Sequence, residues 1–189
     1  MTPDELLARE AIRHCLLRHF RAVDRGDEAL ERTAFWPDGQ YLGGPVAGPA
    51  SDFVGPLFGL LGSCFERVMH SVTNMLITVS GDSALVEAYA TGWQLLADTP
   101  EVLEGVLGPA MLADLAPGAR YELLIGARYA VEMARREGEW RILTMQPIIE
   151  WTRVQQQAGI TEGGLPAAMP TVPLRHAGDA SYFAGRFQP

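Results

Sequence analysis

Long stretches rich in β-branched, aromatic and aliphatic residues dominate the second half of the chain, and they predict β-strands. The first strand is predicted over about residues 67 to 79 and the second over about 83 to 96, with the turn SGDS between them. The third runs from about Arg120 to Arg136, and the fourth, WRILTMQPIIEWTRV, follows a tight EGE turn. Strands joined in this way predict an antiparallel sheet.

The N-terminal part of the chain has helical spacing instead. Thr2 supplies a capping hydroxyl ahead of Pro3, and apolar residues then recur every three or four positions, so we predict a helix from about Pro3 to about Asp24. The stretch DEALERTAF predicts a short second helix, GQYLGG a brief strand, and ASDFVGPLFGLLGSCF a helix broken by its glycines and proline. Helices followed by antiparallel strands predict an α+β fold with helices packed on one face of a curved sheet.

Two segments stand apart from this pattern. Residues 100–118 are long for a hairpin loop and rich in Leu and Val, so we predict a short helix there that covers a pocket. Beyond residue 155, glycines and prolines disfavour regular structure. We therefore expect one domain over residues 1–155 and an extended tail over residues 156–189 that wraps the domain or a neighbouring subunit.

Composition and charge narrow the range of functions. The chain has 189 residues, 48% hydrophobic and 20% charged, which is typical of one soluble domain with a real core. Its net charge of −8 gives no electrostatic basis for a nucleic-acid partner, and no segment approaches the ~20 apolar residues that span a membrane. Two cysteines make no disulfide framework, so a cytoplasmic location is expected.

Local structure does not explain Asp24, His70 and Asn74. In a regular strand, residues of equal parity share a face, which predicts that His70 and Asn74 point the same way among apolar neighbours. Steps of four from Asp24 lead back to Phe20 and Leu16, so this acid lies near the apolar stripe of the first helix, where the helix dipole disfavours a carboxylate. A buried acid needs a partner, and His70 is the best candidate.

A structural interpretation stays open for each candidate. His70 can be a core histidine bonded to a backbone carbonyl, and Asp24 can be a solvated acid paired with a neighbouring arginine. Tyr129 either lines a cavity or is a core or interface aromatic, and Trp93 is a core residue or a platform for substrate. Because no His, Cys and carboxylate cluster has metal-ligand spacing and no glycine loop has phosphate-binding form, we predict neither a metal nor a cofactor.

Three stretches, AVDRGDEAL, MHSVTN and REGEWRI, together resemble the SnoaL-like branch of the NTF2-like superfamily, and the resemblance covers most of residues 5 to 155. Within that branch the aspartate and the H-x-x-x-N motif are similar to the hexachlorocyclohexane dehydrochlorinases, and more distantly to scytalone dehydratase and bile-acid dehydratase. The resemblance implies a conical α+β barrel with a deep apolar pocket, no metal, and often a trimer.

The same resemblance implies roles for individual residues. Asp24 and His70 would form a dyad in which the carboxylate orients the imidazole and His70 removes a proton from substrate. Tyr41 matches a pocket tyrosine that polarises a substrate oxygen in the dehydratase. The chain departs from scytalone dehydratase where Val23 replaces a tyrosine and where Trp93 or Gln94 replaces a second pocket histidine.

The leading hypothesis is a cofactor-free lyase that eliminates water, halide or a small carbon fragment such as formaldehyde from a small hydrophobic substrate. The residues expected to contact that substrate are Phe20, Tyr41, Asn74, Trp93 and Tyr129. An isomerase or polyketide cyclase would use the same dyad, and a non-catalytic ligand carrier or a partner subunit of dioxygenase β-subunit type is the second class. Long strands with two apolar faces predict a homo-oligomer, with a trimer favoured.

Overall fold

The first helix begins and ends at capping residues. The Thr2 hydroxyl accepts a hydrogen bond from the Glu5 amide at 3.2 Å, and Pro3 takes the first helical position. This helix, α1, spans Pro3–Arg25 and stops at Gly26, whose φ of 66° suits a residue without Cβ. The predicted helix is confirmed.

The computed structural model describes residues 1–116, 118–157 and 178–185, together with Gly164, Ala168 and Arg175. After α1 come the elements α2 (Glu28–Ala34), β1 (Phe35–Tyr41), β2 (Gly48–Pro49), α3 (Ala50–Cys64), β3 (Phe65–Ser80), β4 (Ser83–Leu96), α4 (Pro100–Leu107), α5 (Pro109–Leu112), β5 (Tyr121–Arg136) and β6 (Glu139–Gln156). The four long strands are those that the sequence predicts, and the brief strand at GQYLGG is β1, which starts earlier.

The strands form one curved sheet in the order β2-β1-β6-β5-β4-β3. Neighbouring strands are antiparallel except β1 and β6, which are parallel. The sheet has two free edges and is not a closed barrel, but helices on a curved, mostly antiparallel sheet are the α+β arrangement that the sequence predicts.

The main core lies between the helices and the sheet. Ile12 and Leu16 of α1, Phe53 of α3, and Ile142 and Met145 of β6 are all at most 2% exposed. Burying each such side chain contributes about 1.5–3 kcal/mol to folding. This packing fixes α1 across the sheet and so determines where its last turn lies.

Strand β3 contains a bulge that the sequence analysis missed. Val72 pairs with Ala90 and Met75 pairs with Ala88, so β3 takes three steps where β4 takes two. A one-residue shift exchanges the faces of all following side chains. Val68, His70 and Val72 therefore point inward before the bulge, whereas beyond it the inward positions are those of Met75, Ile77 and Val79.

Helix α3 is continuous, so the predicted break was wrong. Pro56 lies inside the helix, but Phe53 and Val54 before it and Leu61 after it are all buried. Packing on both sides of Pro56 holds the helix together although proline removes one backbone donor.

Residues 100–112 contain the two short helices α4 and α5, which confirms helix in this segment. Helix α4 packs against α3, and neither short helix has a buried residue. No described residue of the segment is among those that line the central cavity, so any cover that it provides acts through α3.

Part of the predicted tail contacts the end of α1. Arg175 donates hydrogen bonds to the carbonyl oxygens of Leu61, Phe65 and Val23 at 2.7, 3.1 and 3.2 Å. Farther along, the Tyr182 hydroxyl lies 2.7 Å from a carboxylate oxygen of Asp27. Wrapping by the rest of residues 156–189 stays a prediction, because most of that stretch lies outside the described residues.

Candidate active site

Asp24 and His70 meet where the last turn of α1 reaches the beginning of β3. Oδ1 of Asp24 lies 2.7 Å from Nδ1 of His70, and Oδ2 accepts the backbone N–H of His70 at 3.0 Å. The two side chains are only 11% and 10% exposed. One carboxylate therefore holds both the ring and the backbone of His70, and Nε2 remains as the free ring nitrogen. The predicted contact is confirmed.

Gly92 makes room for the imidazole on the neighbouring strand. It pairs with His70 across β3 and β4, and a Cβ at this position would stand 3.3 Å from Nε2 of His70. That distance is tight for a carbon contact, so a side chain here would displace the ring or be displaced by it. Glycine leaves the space in front of Nε2 open.

A cavity of about 250 Å³ opens in front of His70. Its volume lies just below the ~300 to 1,000 Å³ that is usual for ligand pockets. Most of its wall is apolar, and the polar side chains are few. The lining residues are His19, Val23, Tyr41, Gly44, Leu57, Leu61, His70, Ala90, Gly92, Gln94, Ile125, Ala127, Tyr129, Pro147 and Ile149.

Tyr41 and Tyr129, both expected to contact substrate, line this cavity. Tyr41 stacks on Phe53 with ring centroids 5.0 Å apart, and Tyr129 meets Phe20 edge-on at 5.1 Å. Burial, aided by the charge of Glu31, raises the pKa of Tyr41 to about 12. Burial raises the pKa of Tyr129 as well. Both phenols therefore stay protonated at neutral pH and keep a proton to donate.

Three predicted substrate contacts lie off the cavity wall. The bulge turns Asn74 to the outer face, where it is exposed and borders a separate depression beside Tyr89. Trp93 points away from the cavity because its neighbours Gly92 and Gln94, of opposite parity, line it. The expected shared face of His70 and Asn74 was thus wrong, and Trp93, which was expected to contact substrate, does not line the cavity.

Phe20 was predicted to contact substrate, but it supports the site from behind. The side chain is 4% exposed and is absent from the cavity wall. Its ring lies 5.3 Å from that of His70 and 5.1 Å from that of Tyr129, measured between centroids. Phe20 therefore holds two wall residues in place.

Gln94 is a polar wall residue that the sequence analysis named only as an alternative to Trp93. It is 7% exposed, and its Oε1 is buried without a hydrogen-bond partner among the described residues. Its Nε2 would lie 3.5 Å from a Cβ placed at Gly92, so the amide stands close to His70. An unsatisfied amide oxygen on a cavity wall is available to a donor on a ligand.

Sequence reasoning also missed a second histidine and carboxylate pair. Nδ1 of His19 lies 2.8 and 3.0 Å from the two carboxylate oxygens of Glu31, and His19 lines the same cavity. The sequence did contain a signal for His19, of the same kind as for Asp24. His19 lies on the apolar stripe of α1, one turn from Cys15 and one turn from Val23. Nothing in the sequence pattern of α2 marks Glu31.

Two further kinds of feature, a metal site and a membrane-spanning helix, can be assessed for the part of the chain that the structure describes. Within it, no group of three or more His, Cys, Asp and Glu side chains is arranged to hold a metal ion. None of the described helices is long and apolar enough to cross a membrane.

The family model described as a SnoaL-like domain matches residues 4–146, which is most of the chain. The chain belongs to the SnoaL-like family. This range contains both histidine and carboxylate pairs and ends before the tail. No curated protein matches this SnoaL-like chain.

Solved structures share the fold at low sequence identity. A hexachlorocyclohexane dehydrochlorinase of type 2 is 21% identical, with a TM-score of 0.65 over 85% of this chain and 96% of its own. A proposed scytalone dehydratase from Novosphingobium aromaticivorans is 16% identical, with a TM-score of 0.64 over 81% and 91% of the two chains. A protein of unknown function from Mycobacterium tuberculosis is 18% identical, with a TM-score of 0.55 over 79% and 77%. These likenesses identify the fold as NTF2-like.

Proposed function

We propose that this SnoaL-like protein is a cofactor-independent lyase in which Asp24 and His70 act together as a general base. The observation that carries the proposal is the pair of hydrogen bonds that Asp24 accepts from the ring and the backbone of His70, which leaves Nε2 facing the cavity. An imidazole held in this way accepts a proton at Nε2, and the carboxylate stabilises the imidazolium that forms.

The two wall tyrosines fit a substrate that carries a carbonyl oxygen. When His70 removes the hydrogen next to a carbonyl, negative charge develops on that oxygen, and donors placed there stabilise it. The hydroxyls of Tyr41 and Tyr129 have no hydrogen-bond partner among the described residues, and the raised pKa of each phenol keeps its proton in place. Elimination then follows at the adjacent carbon.

Cavity size and polarity limit the substrate class. A small, mostly apolar cavity suits an alicyclic or aromatic ketone, and the group that leaves is water, halide or a small carbon fragment such as formaldehyde. The likeness to a dehydrochlorinase and to a proposed dehydratase supports the lyase class.

The proposed base is tested with two ketones, cyclohexanone and α-tetralone, in deuterium oxide. A base that removes the hydrogens next to the carbonyl exchanges them for deuterium, and proton NMR measures the rate of this exchange. Asp24→Asn and His70→Gln should each slow exchange by on the order of 10²-fold, and the double variant should be about as slow as either, because the two residues act as a unit. Each variant should stay folded, because Asn and Gln roughly preserve the size of the side chain and keep a hydrogen-bonding group.

Matched controls are Asp98→Asn and His14→Gln, which change exposed residues of the same types. Both should exchange like the wild type. If the Asp24 and His70 variants keep near-wild-type exchange while they remain folded, or if wild-type protein exchanges neither ketone, the pair is structural and the lyase proposal fails.

The second candidate is a non-catalytic subunit, and the outer face of the sheet favours protein contact. Leu76 and Leu85 lie on neighbouring strands of that face and are 69% and 61% exposed. Large contiguous apolar patches usually mark an interface.

We propose that copies of this chain cover the face in a homo-oligomer, in which a trimer is favoured. A stable complex with a larger partner would support the subunit role instead.

A further inference from the structure

The cavity has two histidine and carboxylate pairs on its wall, and the proposed base uses only one. His19 and Glu31 form the second, with side chains 5% and 0% exposed. Phe20 contacts both imidazoles, at centroid distances of 4.9 Å from His19 and 5.3 Å from His70. The two ring centroids therefore lie no more than about 10 Å apart, and both rings line the same cavity.

Glu31 is buried with one partner for its charge. Both of its carboxylate oxygens lie against Nδ1 of His19, and no other described side chain forms a hydrogen bond or ion pair with them. A fully buried carboxylate needs a partner, because an unpaired buried charge is costly. Among the described residues, the His19 ring is the side chain placed to supply this partner through Nδ1, and Nε2 is its other ring nitrogen.

Asp24 is placed differently, although it also pairs with a histidine. Its second oxygen accepts the backbone N–H of His70, and the guanidinium of Arg175 lies within electrostatic range of the carboxylate. These contacts stabilise the negative charge without a proton on the imidazole. The two histidine and carboxylate pairs therefore lie in different surroundings, and opposed environments of this kind are how one site holds both a base and an acid.

We propose that His19, held by Glu31 on the cavity wall, is the general acid that protonates the leaving group. This inference rests on the lyase proposal and deepens it. His19 is the catalytic residue of the pair, and Glu31 is its positioning residue. The chemistry that needs such an acid is departure of an oxygen, since hydroxide is a poor leaving group and chloride leaves without a proton. The substrate class is therefore a β-hydroxy ketone, and the product is the unsaturated ketone.

The step balances in atoms and charge. Nε2 of His70 takes the hydrogen from the carbon next to the carbonyl, and that electron pair becomes the new carbon–carbon double bond. The bond to the β-oxygen breaks as Nε2 of His19 gives its proton to that oxygen, which departs as water. His70 ends protonated and His19 neutral, so one proton passes back between them or through solvent before the next turnover.

A pair of probes separates this role from a structural one. The first is β-hydroxycyclohexanone, which must lose water, and the second is β-acetoxycyclohexanone, which loses acetate and needs no acid. Formation of cyclohexenone is followed for wild type, His19→Gln, Glu31→Gln and His70→Gln. Glu31→Gln keeps the shape and an acceptor for Nδ1–H, so it carries the test if His19→Gln fails to fold. The control is His14→Gln, an exposed histidine on the same helix.

We expect His19→Gln and Glu31→Gln to lose on the order of 10²-fold or more in turnover of the hydroxy probe, while the acetoxy probe changes by less than about threefold. His70→Gln should slow both probes. The general-acid role would be overturned if the His19 and Glu31 variants lost equal turnover on both probes, or if they lost none on the hydroxy probe. If His70→Gln leaves the turnover of both probes unchanged, or if the wild type eliminates from neither probe, the lyase proposal itself fails. The general-acid role of His19 then fails as well.

Discussion

Each of the two imidazoles on the cavity wall depends on the carboxylate beside it. The Asp24 and His70 contact was predictable, because an acid on an apolar helix stripe has no local reason to be there and His70 was the obvious partner. The pairing of His19 with Glu31 was not, since the buried position of Glu31 depends on how α2 folds against α1. Sequence spacing therefore predicts an unusual residue better than it predicts its partner.

Tyr41 should leave a signature in alkaline stability. The folded state holds its phenol protonated to about pH 12, whereas the unfolded chain releases the proton near pH 10. Between these values the folded state binds more protons, so the free energy of unfolding falls as pH rises, by up to roughly 3 kcal/mol from this group. The chain contains no lysine, so no amine side chain obscures this window.

The measurement is urea unfolding at several pH values between about 9 and 12, the range in which tyrosines titrate. Tyr41→Phe should reduce the fall in unfolding free energy, whereas Tyr89→Phe, at the 38% exposed tyrosine of the outer face, should not. A Tyr41→Phe variant with the full wild-type slope would show that this phenol is not buried in the neutral form.

Among the elements, the strands and α1 were predictable from their patterns, but the orientation of residues beyond the bulge was not. Both faces of β3 are fairly apolar, so one extra residue near Asn74 does not visibly interrupt the alternation of apolar and polar residues in the sequence. The continuity of α3 through Pro56 was also hidden, because packing on both sides of the proline outweighs its cost. Each miss arose where contacts between elements override the local pattern.

The segment of α4 and α5 should influence substrate choice more than stability. Its helices bury no side chain, and α4 packs on α3, which supplies Leu57 and Leu61 to the cavity wall. Replacement of residues 100–112 by a short Gly-Ser linker should therefore change the ratio of exchange rates for cyclohexanone and α-tetralone several-fold, with a small shift in melting temperature. A parallel loss of melting temperature and of both rates would favour a purely structural role.

At the scale of the whole molecule, the curved sheet has one face for the cavity and core and another that lies open. Met69, Leu76 and Leu85 are 50%, 69% and 61% exposed on the strands β3 and β4. Exposed leucines are ordinary when they are scattered, but Leu76 and Leu85 line one depression on this sheet face, together with Glu87 and Glu132. A second sheet of the same kind would cover them, whereas the helices already cover the opposite face.

The oligomer is tested by light scattering after chromatography. Wild type should elute as a multiple of the 20.6 kDa chain, with three copies favoured, and the Leu76→Arg, Leu85→Arg double variant should shift to 20.6 kDa, since burying two unpaired guanidinium groups is costly. Leu7→Arg changes a leucine that is also 69% exposed but lies on α1, so it should leave the mass unchanged. A monomeric wild type at micromolar concentration would show that the open face is not covered by copies of this chain, and a variant that stays oligomeric would place the interface on another surface.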